Sequence, residues 1–361
     1  MPTTTSVRPL KYAQLAQHFR EQMKSGALRP GDQLPTLAHM QAEFGIGQGT
    51  MERVYGLLEK ERLIERRPKR GTFVIEYRPQ AVLEVVGIAL ADDETHIPQH
   101  HPYYLRLLDG MREVARRENI EMMLLHDRSY AKRERIDGII TIFNNMPQPD
   151  DMPRVDVLGP MPNVPSVVSD DYGGTKAAME HLIGLGHTKI AFLTMPTLDT
   201  PQQILLDRKN AYTEALIAAG IEPSRRWVRL IRQPWQVLQE FSDLGYGLMQ
   251  KWLSEDWHKL GCTAILAHND DTAIGVLRAL REGGINVPRD VSVVGFDGST
   301  VSEYVHPRLT TVIVPLRDIG MSAMELLLSQ IRAPMDTERI LLQVLPTRLE
   351  VRESTARCAV D

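Results

Sequence analysis

Two tracts, LRPGDQLPT at residues 28–36 and RRPKRGTFV at residues 66–74, decide how the chain begins. Pro30, Gly31 and Pro35 rule out a helix through the first tract. In the second, Gly71 follows four cations, Arg66, Arg67, Lys69 and Arg70, and precedes the apolar pair Phe73 and Val74. Upstream, Tyr12, Leu15, Phe19 and Met23 recur at i, i+3, i+7 and i+11, the apolar stripe of a first helix. Between the tracts, Leu37, Met40 and Phe44 mark a short second helix, Gly45-Ile46-Gly47 a turn, and Met51, Val54, Leu57 and Leu58 the buried face of a third. Two helices joined by a tight glycine turn form the helix-turn-helix pattern, whose second helix enters the major groove N-terminus first.

Behind that pattern, Leu63–Glu65 and Thr72–Ile75 read as short strands flanking the basic run. A cationic hairpin with a glycine can approach a duplex closely, neutralising phosphates or entering the minor groove. The same hairpin could simply face solvent, but its place directly behind a helix-turn-helix favours DNA. The candidate DNA contacts are Thr36, Gln48, Gly49, Thr50 and Arg53 around the recognition helix, and Arg67, Lys69, Arg70, Gly71 and Thr72 on the hairpin. Charge agrees. Residues 1–78 hold 13 basic and 8 acidic side chains, net +5, while the remainder of the 361 residues is net -9 within an overall -4. A basic head on an acidic body is the footprint of a polyanion-binding module joined to something else.

Residues 10–75 resemble the winged-helix domain of the GntR family of bacterial transcription regulators. The resemblance rests on Tyr12, Ser25-Gly26, Leu28, Pro30-Gly31-Asp32, Leu34-Pro35-Thr36, Gly45, Thr50, Leu58, Leu63-Ile64 and Gly71-Thr72-Phe73-Val74. Many members carry arginines where this chain has Ala38, Gln48 and Glu52. The resemblance therefore implies DNA as the partner and leaves the operator sequence open, with Gln48 able to read adenine through N6 and N7.

The rest of the chain follows another rhythm. Short apolar runs at 85–90, 122–125, 138–142, 189–193, 263–267 and 291–295 alternate with helical patterns at 104–116, 174–185, 205–219 and 272–281. Buried parallel strands alternating with helices mean a doubly wound α/β body, where ligands bind beyond the carboxyl ends of the strands. Asp92 and Asp93, Asn269-Asp270-Asp271 and Asp297 stand at such ends. Asp171 and Asp270, each just ahead of a helix, read as caps; Asn269 and Asp297, one step nearer a strand end, read as ligand contacts. No P-loop, no G-x-G-x-x-G and no H-E-x-x-H occurs, and the 11 histidines show no ligand spacing. Neither catalysis, a cofactor nor a metal is expected, and His100-His101 reads as an ordinary loop pair. Cys262 and Cys358 make no disulfide framework, and neither an export signal nor a membrane-spanning run is evident, so a cytoplasmic protein is expected.

The body resembles the effector domain of the LacI/GalR family, itself similar to periplasmic sugar-binding proteins. The resemblance is carried by DGII at 137–140, VVSDDYGG at 167–174, HLIGLGHTKIAF at 181–192, Arg208 ahead of Ala211-Tyr212, HNDDTAIG at 268–275, VPRDVSVVGFD at 287–297 and LTTV at 309–312. It implies a sugar held by Arg208, Asn269 and Asp297, with Tyr103, Tyr104, Trp235 and Val314 as further lining. A planar guanidinium fork and a carboxylate can each engage two hydroxyls while an aromatic ring covers the apolar face of a sugar. It also implies a domain at 84–353 after a linker at 77–83, with one lobe at about 84–179 and 310–334, the other at 180–309 and 335–353, and a tail at 354–361. Only about ten residues separate Leu125 from Asp137, which shortens the first lobe.

A GntR-like head on a LacI-like body resembles the arabinose-repressor type of regulator. The combination implies a homodimeric regulator that binds palindromic operator DNA and a sugar effector and represses carbohydrate genes; an activator of the same build stays open. A pure sugar-binding protein would have no use for the head, and an enzyme of the GntR-aminotransferase kind would need a large domain of a different pattern.

Overall fold

The computed structural model describes residues 12–36, 39–41, 45–60, 63–67, 70–75, 84–90, 102–125, 136–143, 152–160, 163–196, 203–231, 241–332 and 342–359. The chain forms two compact units, residues 1–83 and 84–361. Residues 76–83, which include the expected linker, lie outside the described residues.

The first unit holds α1 (Tyr12–Lys24), a helical segment at 39–41, α2 (Gln48–Lys60), β1 (Ile64–Arg67) and β2 (Gly71–Val74). The strands pair antiparallel from Ile64↔Val74 to Arg67↔Gly71. The 28–36 tract lies along the other edge of β2. Gly31 N–H donates to the Val74 carbonyl, Val74 N–H to Asp32 and Leu34 N–H to Thr72, each at 2.8 Å. The two tracts that carry the sequence reading are thus hydrogen-bonded to each other. Leu15, Ala16, Phe19, Val54, Tyr55, Leu58, Ile64 and Val74 form the core, each large side chain contributing roughly 1.5–3 kcal/mol by leaving water. Tyr12 departs from its expected place: at the first turn of α1 it is 44% exposed, and Leu15, Ala16 and Phe19 make the buried stripe. Leu37 and Phe44 lie outside the described residues.

The second unit contains two six-stranded sheets. In the first, the order is β13–β7–β6–β5–β3–β4, with β3 Val85–Leu90, β4 Glu121–Leu125, β5 Gly138–Ile142, β6 Arg154–Val157, β7 Ser166–Ser169 and β13 Leu342–Leu345, all neighbours parallel. In the second, the order is β14–β12–β11–β10–β8–β9, with β8 Ile190–Thr194, β9 Val228–Leu230, β10 Ala264–Leu266, β11 Ser292–Asp297, β12 Thr310–Ile313 and β14 Arg348–Glu350. Only β14 runs antiparallel there, against β12. Helices cover the faces. α3 (Pro102–Glu118) packs on α9 (Leu316–Arg332) at the first sheet, and α4 (Asp171–Gly184) packs on α5 (Gln203–Ala218) at the second. α6 (Phe241–Glu255), α7 (Trp257–Leu260) and α8 (Asp270–Glu282) complete the second lobe. Among the described residues no helix is long and apolar enough to cross a membrane.

The lobe boundaries differ from the sequence reading in three places. Residues 310–313 pair with β11, so they belong to the second sheet rather than the first lobe. Residues 342–345 pair with β7 in the first sheet rather than the second lobe. α4 packs on β12 and β14 as well as α5, placing 171–179 in the second lobe. An apolar run announces a buried strand without saying which of two similar sheets it joins. The expected tail is likewise built in: Ser354 is fully buried, its hydroxyl donates to the Val293 carbonyl at 2.6 Å, and Cys358 N–H donates to Leu185 at 2.8 Å. The chain crosses between lobes after Ser169, after Ile313 and after Leu345. The segment 126–135, where the first lobe is short, lies outside the described residues.

Candidate functional site

On the first unit, α2 opens with Gln48, and Gln48, Gly49 and Arg53 are exposed while Thr50 is half-buried. Thr36, Arg67, Arg70 and Gly71 are also exposed, and Thr72 is half-buried; Lys69 lies outside the described residues. Gly71 has φ +111°, and a methyl there would come 2.2 Å from Gln33 Nε2, which donates to the Arg70 carbonyl at 3.2 Å. The glycine is therefore required by the turn itself. The Arg67 guanidinium lies 5.0 Å over the Phe73 ring, which stiffens it at the hairpin. Arg66 behaves differently from its neighbours: it bonds Glu52 at 2.7 Å and Glu59 at 3.1 Å on α2. Its charge straps the hairpin to the recognition helix, and Glu52, standing where the resemblance expects an arginine, is what it holds.

In the second unit Arg208, on α5, is held by the first residue of α4, by the backbone just after β10 and by β11 near its carboxyl end. Its Nε donates to Asp171 Oδ1 at 2.5 Å, its Nη1 to the His268 carbonyl at 2.7 Å, and the guanidinium stacks 3.6 Å from the centre of the Phe296 ring. Burial alone would lower the Arg208 pKa, but Asp171 and Asp297 hold it above its ordinary value. Asp297, half-buried, carries its carboxyl well above the ordinary range because burial outweighs Arg208. Facing these groups from the first lobe are Tyr103 and Tyr104, which meet edge to face at 5.8 Å, with Tyr103 stacked on Phe143 at 6.3 Å. Burial raises the Tyr103 phenol, and Asp297 and Asp171 raise it further, which places it in their field. Tyr103, Arg106, Asp270, Asp297 and Ser299 line a cavity of about 160 Å³ between the lobes. Arg106 Nη1 crosses the cleft to the Gly298 carbonyl at 2.7 Å.

The two cap readings are reversed. Asp170, not Asp171, caps α4, accepting from Gly173 N–H at 2.7 Å. Asp171 turns inward to Arg208 and the Ser169 hydroxyl. Asn269, not Asp270, caps α8, its Oδ1 accepting from Thr272 N–H at 2.9 Å and the Thr272 hydroxyl at 2.7 Å. Asp270 instead accepts from Ser299 N–H at 2.6 Å and the Thr311 hydroxyl at 2.5 Å, and burial pushes its carboxyl up to about 6. The Asn269 oxygen is thus committed to the cap, which leaves its amide N–H₂ as the group it could offer. Val314 is fully buried, in the core cluster that contains Leu316. Trp235, His100, His101, Asp92 and Asp93 lie outside the described residues. Asp171, Phe296, Arg106 and His268 were not singled out as contacts from sequence, although all but Arg106 sit inside the quoted motifs.

Residues 11–74 match the gntR family of bacterial regulatory proteins, and residues 179–355 match the periplasmic binding protein-like domain. The chain joins a GntR-type DNA-binding domain to a periplasmic-binding-protein-like domain. The GntR-type head accounts for the exposed α2 terminus and hairpin, and the binding-protein-like body for the cleft around Arg208. The HTH-type transcriptional regulator CelR of Thermobifida fusca is 28% identical over 351 residues, spanning 89% of this chain and 98% of its own. The arabinose metabolism transcriptional repressor of Geobacillus stearothermophilus is 26% identical over 361 residues, spanning 89% and 91%. The solved LacI family transcriptional regulator from Enterococcus faecium, with bound ribose, has the same fold as the body: TM-score 0.63 at 24% identity, covering 76% of this chain and 100% of that one. With its DNA-binding head and these relatives, the chain is a transcription regulator.

Proposed function

We propose that the chain is a ligand-controlled repressor of carbohydrate-utilisation genes, binding operator DNA through the winged helix and a sugar or sugar derivative between the lobes. The observation that carries this reading is the Arg208 cluster. One buried guanidinium is already fixed by Asp171, the His268 carbonyl and the Phe296 ring, and beside it stand the Asp297 carboxyl and the Asn269 amide. These are acceptors and donors for hydroxyl groups, and Tyr103 on the opposite lobe supplies an aromatic wall. The groups come from both lobes, so a ligand that satisfies them favours the closed arrangement, and only that difference in affinity can shift the head.

Pairing of two bodies would present two heads to a palindromic operator in the cytosol. The coupling expected of such a switch is about 1–3 kcal/mol, a change of about 5–150-fold in DNA affinity. The test is to select duplexes from a random pool on the full chain and then measure their affinity with and without monosaccharides, polyols and their phosphates. A sugar that stabilises the protein and shifts DNA affinity in that range supports the reading. A chain that binds duplex but responds to none of them refutes ligand control, and a monomer in sedimentation on its operator refutes the dimer.

A further inference from the structure

A second cavity opens between α3 and α9 and shares only Arg106 with the cavity of the cleft. It holds about 780 Å³ and is lined by Arg106, Asp109, Arg112, Glu113 and Arg116 of α3 and by Arg317 of α9. All six are charged, four arginines against two carboxylates, in a body whose own balance is acidic. Residues 106, 109, 113 and 116 recur at helical spacing, so they share one face of α3. The two helices are held at a fixed crossing beside them. A methyl on Gly110 would come 1.9 Å from the Arg317 carbonyl oxygen, and one on Gly320 2.1 Å from that of Leu107, so the Arg317 backbone is seated directly on α3. Elsewhere on the same pair of helices each arginine holds two carboxylates: Arg117 bonds Glu118 at 3.3 Å and Glu325 at 2.7 Å, and Arg332 bonds Glu84 at 2.9 Å and Glu118 at 2.8 Å. The cavity is built differently. Arg112 has Asp109 alone, at 3.2 Å, and Arg317 has Glu113. Arg106 meets only the Gly298 carbonyl, and Arg116 has no ion-pair partner among the described residues. Two positive charges are thus left without a counter-charge in one concave place, where their field is concentrated.

We infer that the cavity between α3 and α9 is an oxyanion site separate from the cleft, taking the phosphate group of a small phosphorylated molecule. The inference does not rest on the sugar reading of the cleft. Its lining has no aromatic wall and no apolar side chain, so it suits an ion rather than a sugar ring. Guanidinium groups match a phosphate with paired N–H donors, and Arg106 spends one donor on Gly298 and keeps the rest of its fork. Arg116 is free to turn to the ion. The Arg112–Asp109 and Arg317–Glu113 pairs are exposed, and pairs of that kind hold weakly, so an incoming oxyanion can share their arginines.

The experiment titrates the full chain calorimetrically with inorganic phosphate and with pyrophosphate, in chloride buffer held at one ionic strength of about 0.1 M so that screening is common to every run. Arg116→Gln and Arg317→Gln each remove one exposed cation from the cavity, and Arg289→Gln removes one elsewhere, where Arg289 pairs with Asp290 at 2.8 Å. The cations of the head are the same in all four proteins, so their heat drops out of the comparison. The expected result is saturable binding of pyrophosphate to wild type, tighter than that of phosphate, weakened about 10-fold in Arg116→Gln and in Arg317→Gln and unchanged in Arg289→Gln. Wild type that binds neither ion saturably overturns the inference. Wild-type affinity in both cavity variants overturns it by placing the ion elsewhere, and an equal loss in Arg289→Gln overturns it by reducing the effect to net charge. Arg116 has no partner to lose, so should Arg317→Gln fail to fold, the affinity of Arg116→Gln decides alone.

Discussion

Replacing Arg208 with methionine tests how much of the cleft is scaffold and how much is ligand contact. The guanidinium is 8% exposed and Asp171 1%, with 2.5 Å between Nε and Oδ1. In Arg208→Met, Asp171 keeps only the Ser169 hydroxyl, and a carboxylate that buried has lost its counter-charge. Breaking one side of a buried pair costs about 3–5 kcal/mol. In a body of this size each kcal/mol is worth about 2–4 °C, so the melting transition of the second unit should fall by roughly 6–20 °C. Adding Asp171→Asn removes the stranded charge while an amide oxygen can still accept from Ser169. The double variant should then be more stable than the sum of the singles by about 0.5–3 kcal/mol. Differential scanning calorimetry of the full chain at pH 7 reads both quantities. A body transition within about 1 kcal/mol of wild type in Arg208→Met, or strict additivity in the double variant, would refute the buried-pair account. The result also governs how functional data are read: loss of ligand response in Arg208→Met reports a lost contact only where the double variant, folded at the assay temperature, shows the same loss.

The buried histidines should make the body more sensitive to acid. His268 is held down to about 3 by burial and Arg208, and His187 and His181 are lowered by burial. A depressed histidine is protonated in the unfolded chain before the folded one, so its stabilising effect is complete above an unfolded value of about 6.5 and is lost as pH falls below it. By pH 5 His268 alone should cost about 2 kcal/mol; the raised carboxyls of Asp270 and Asp297 act in the opposite sense over the same range, so the check is the difference between wild type and His268→Phe, and a pH dependence of the melting temperature unchanged by that substitution would contradict the burial of the ring. On the head, Gly71→Ala forces a methyl onto Gln33 at φ +111° and should lower the head transition by about 1–3 kcal/mol, with circular dichroism of the isolated transition as the check and an unaltered midpoint as the failure. Replacing Arg67 and Arg70 together with Ala should weaken binding to every duplex and flatten the plot of log affinity against log salt by up to about two; the same slope as wild type would remove the hairpin from the DNA face.

What could be read from sequence follows from where residues lie. β3, β5, β8, β10 and β11 are buried on both faces, so their apolar runs are unbroken and legible. β13 is a short edge strand with three of four residues exposed, and β9 has only three residues; neither leaves a pattern. α9 was legible, with buried Leu316, Ile319, Ala323, Met324 and Leu327 at helical spacing, but was not picked out. The cap reversal has a sharper cause. Ser169-Asp170-Asp171 and Asn269-Asp270-Asp271 each offer consecutive polar residues at a strand end, and successive side chains on a nascent helix point about 100° apart. One of them must face the free N–H groups, the next the interior, and only the backbone angles decide which. Asn269 and Asp297 were legible from their places at strand ends, Arg208 came only from resemblance, and Asp171 and Phe296 could not be tied to Arg208 without the fold.

The backbone at the cleft narrows how a ligand could be felt. Asp297 and Gly298 have φ +103° and +66°. A non-glycine residue held there costs about 1–3 kcal/mol and persists only when its surroundings fix it. Here they do: the Asp297 carbonyl accepts from Val314 N–H at 3.4 Å, just after the β12 crossover, and the Gly298 carbonyl accepts from Arg106 on the opposite lobe at 2.7 Å. The residue that offers its carboxyl to the cleft therefore stands on the turn that a first-lobe helix grips. A ligand held at Asp297, as proposed, would touch the same two residues that hold the registry of the lobes, and would need no long chain of contacts to be sensed across the cleft.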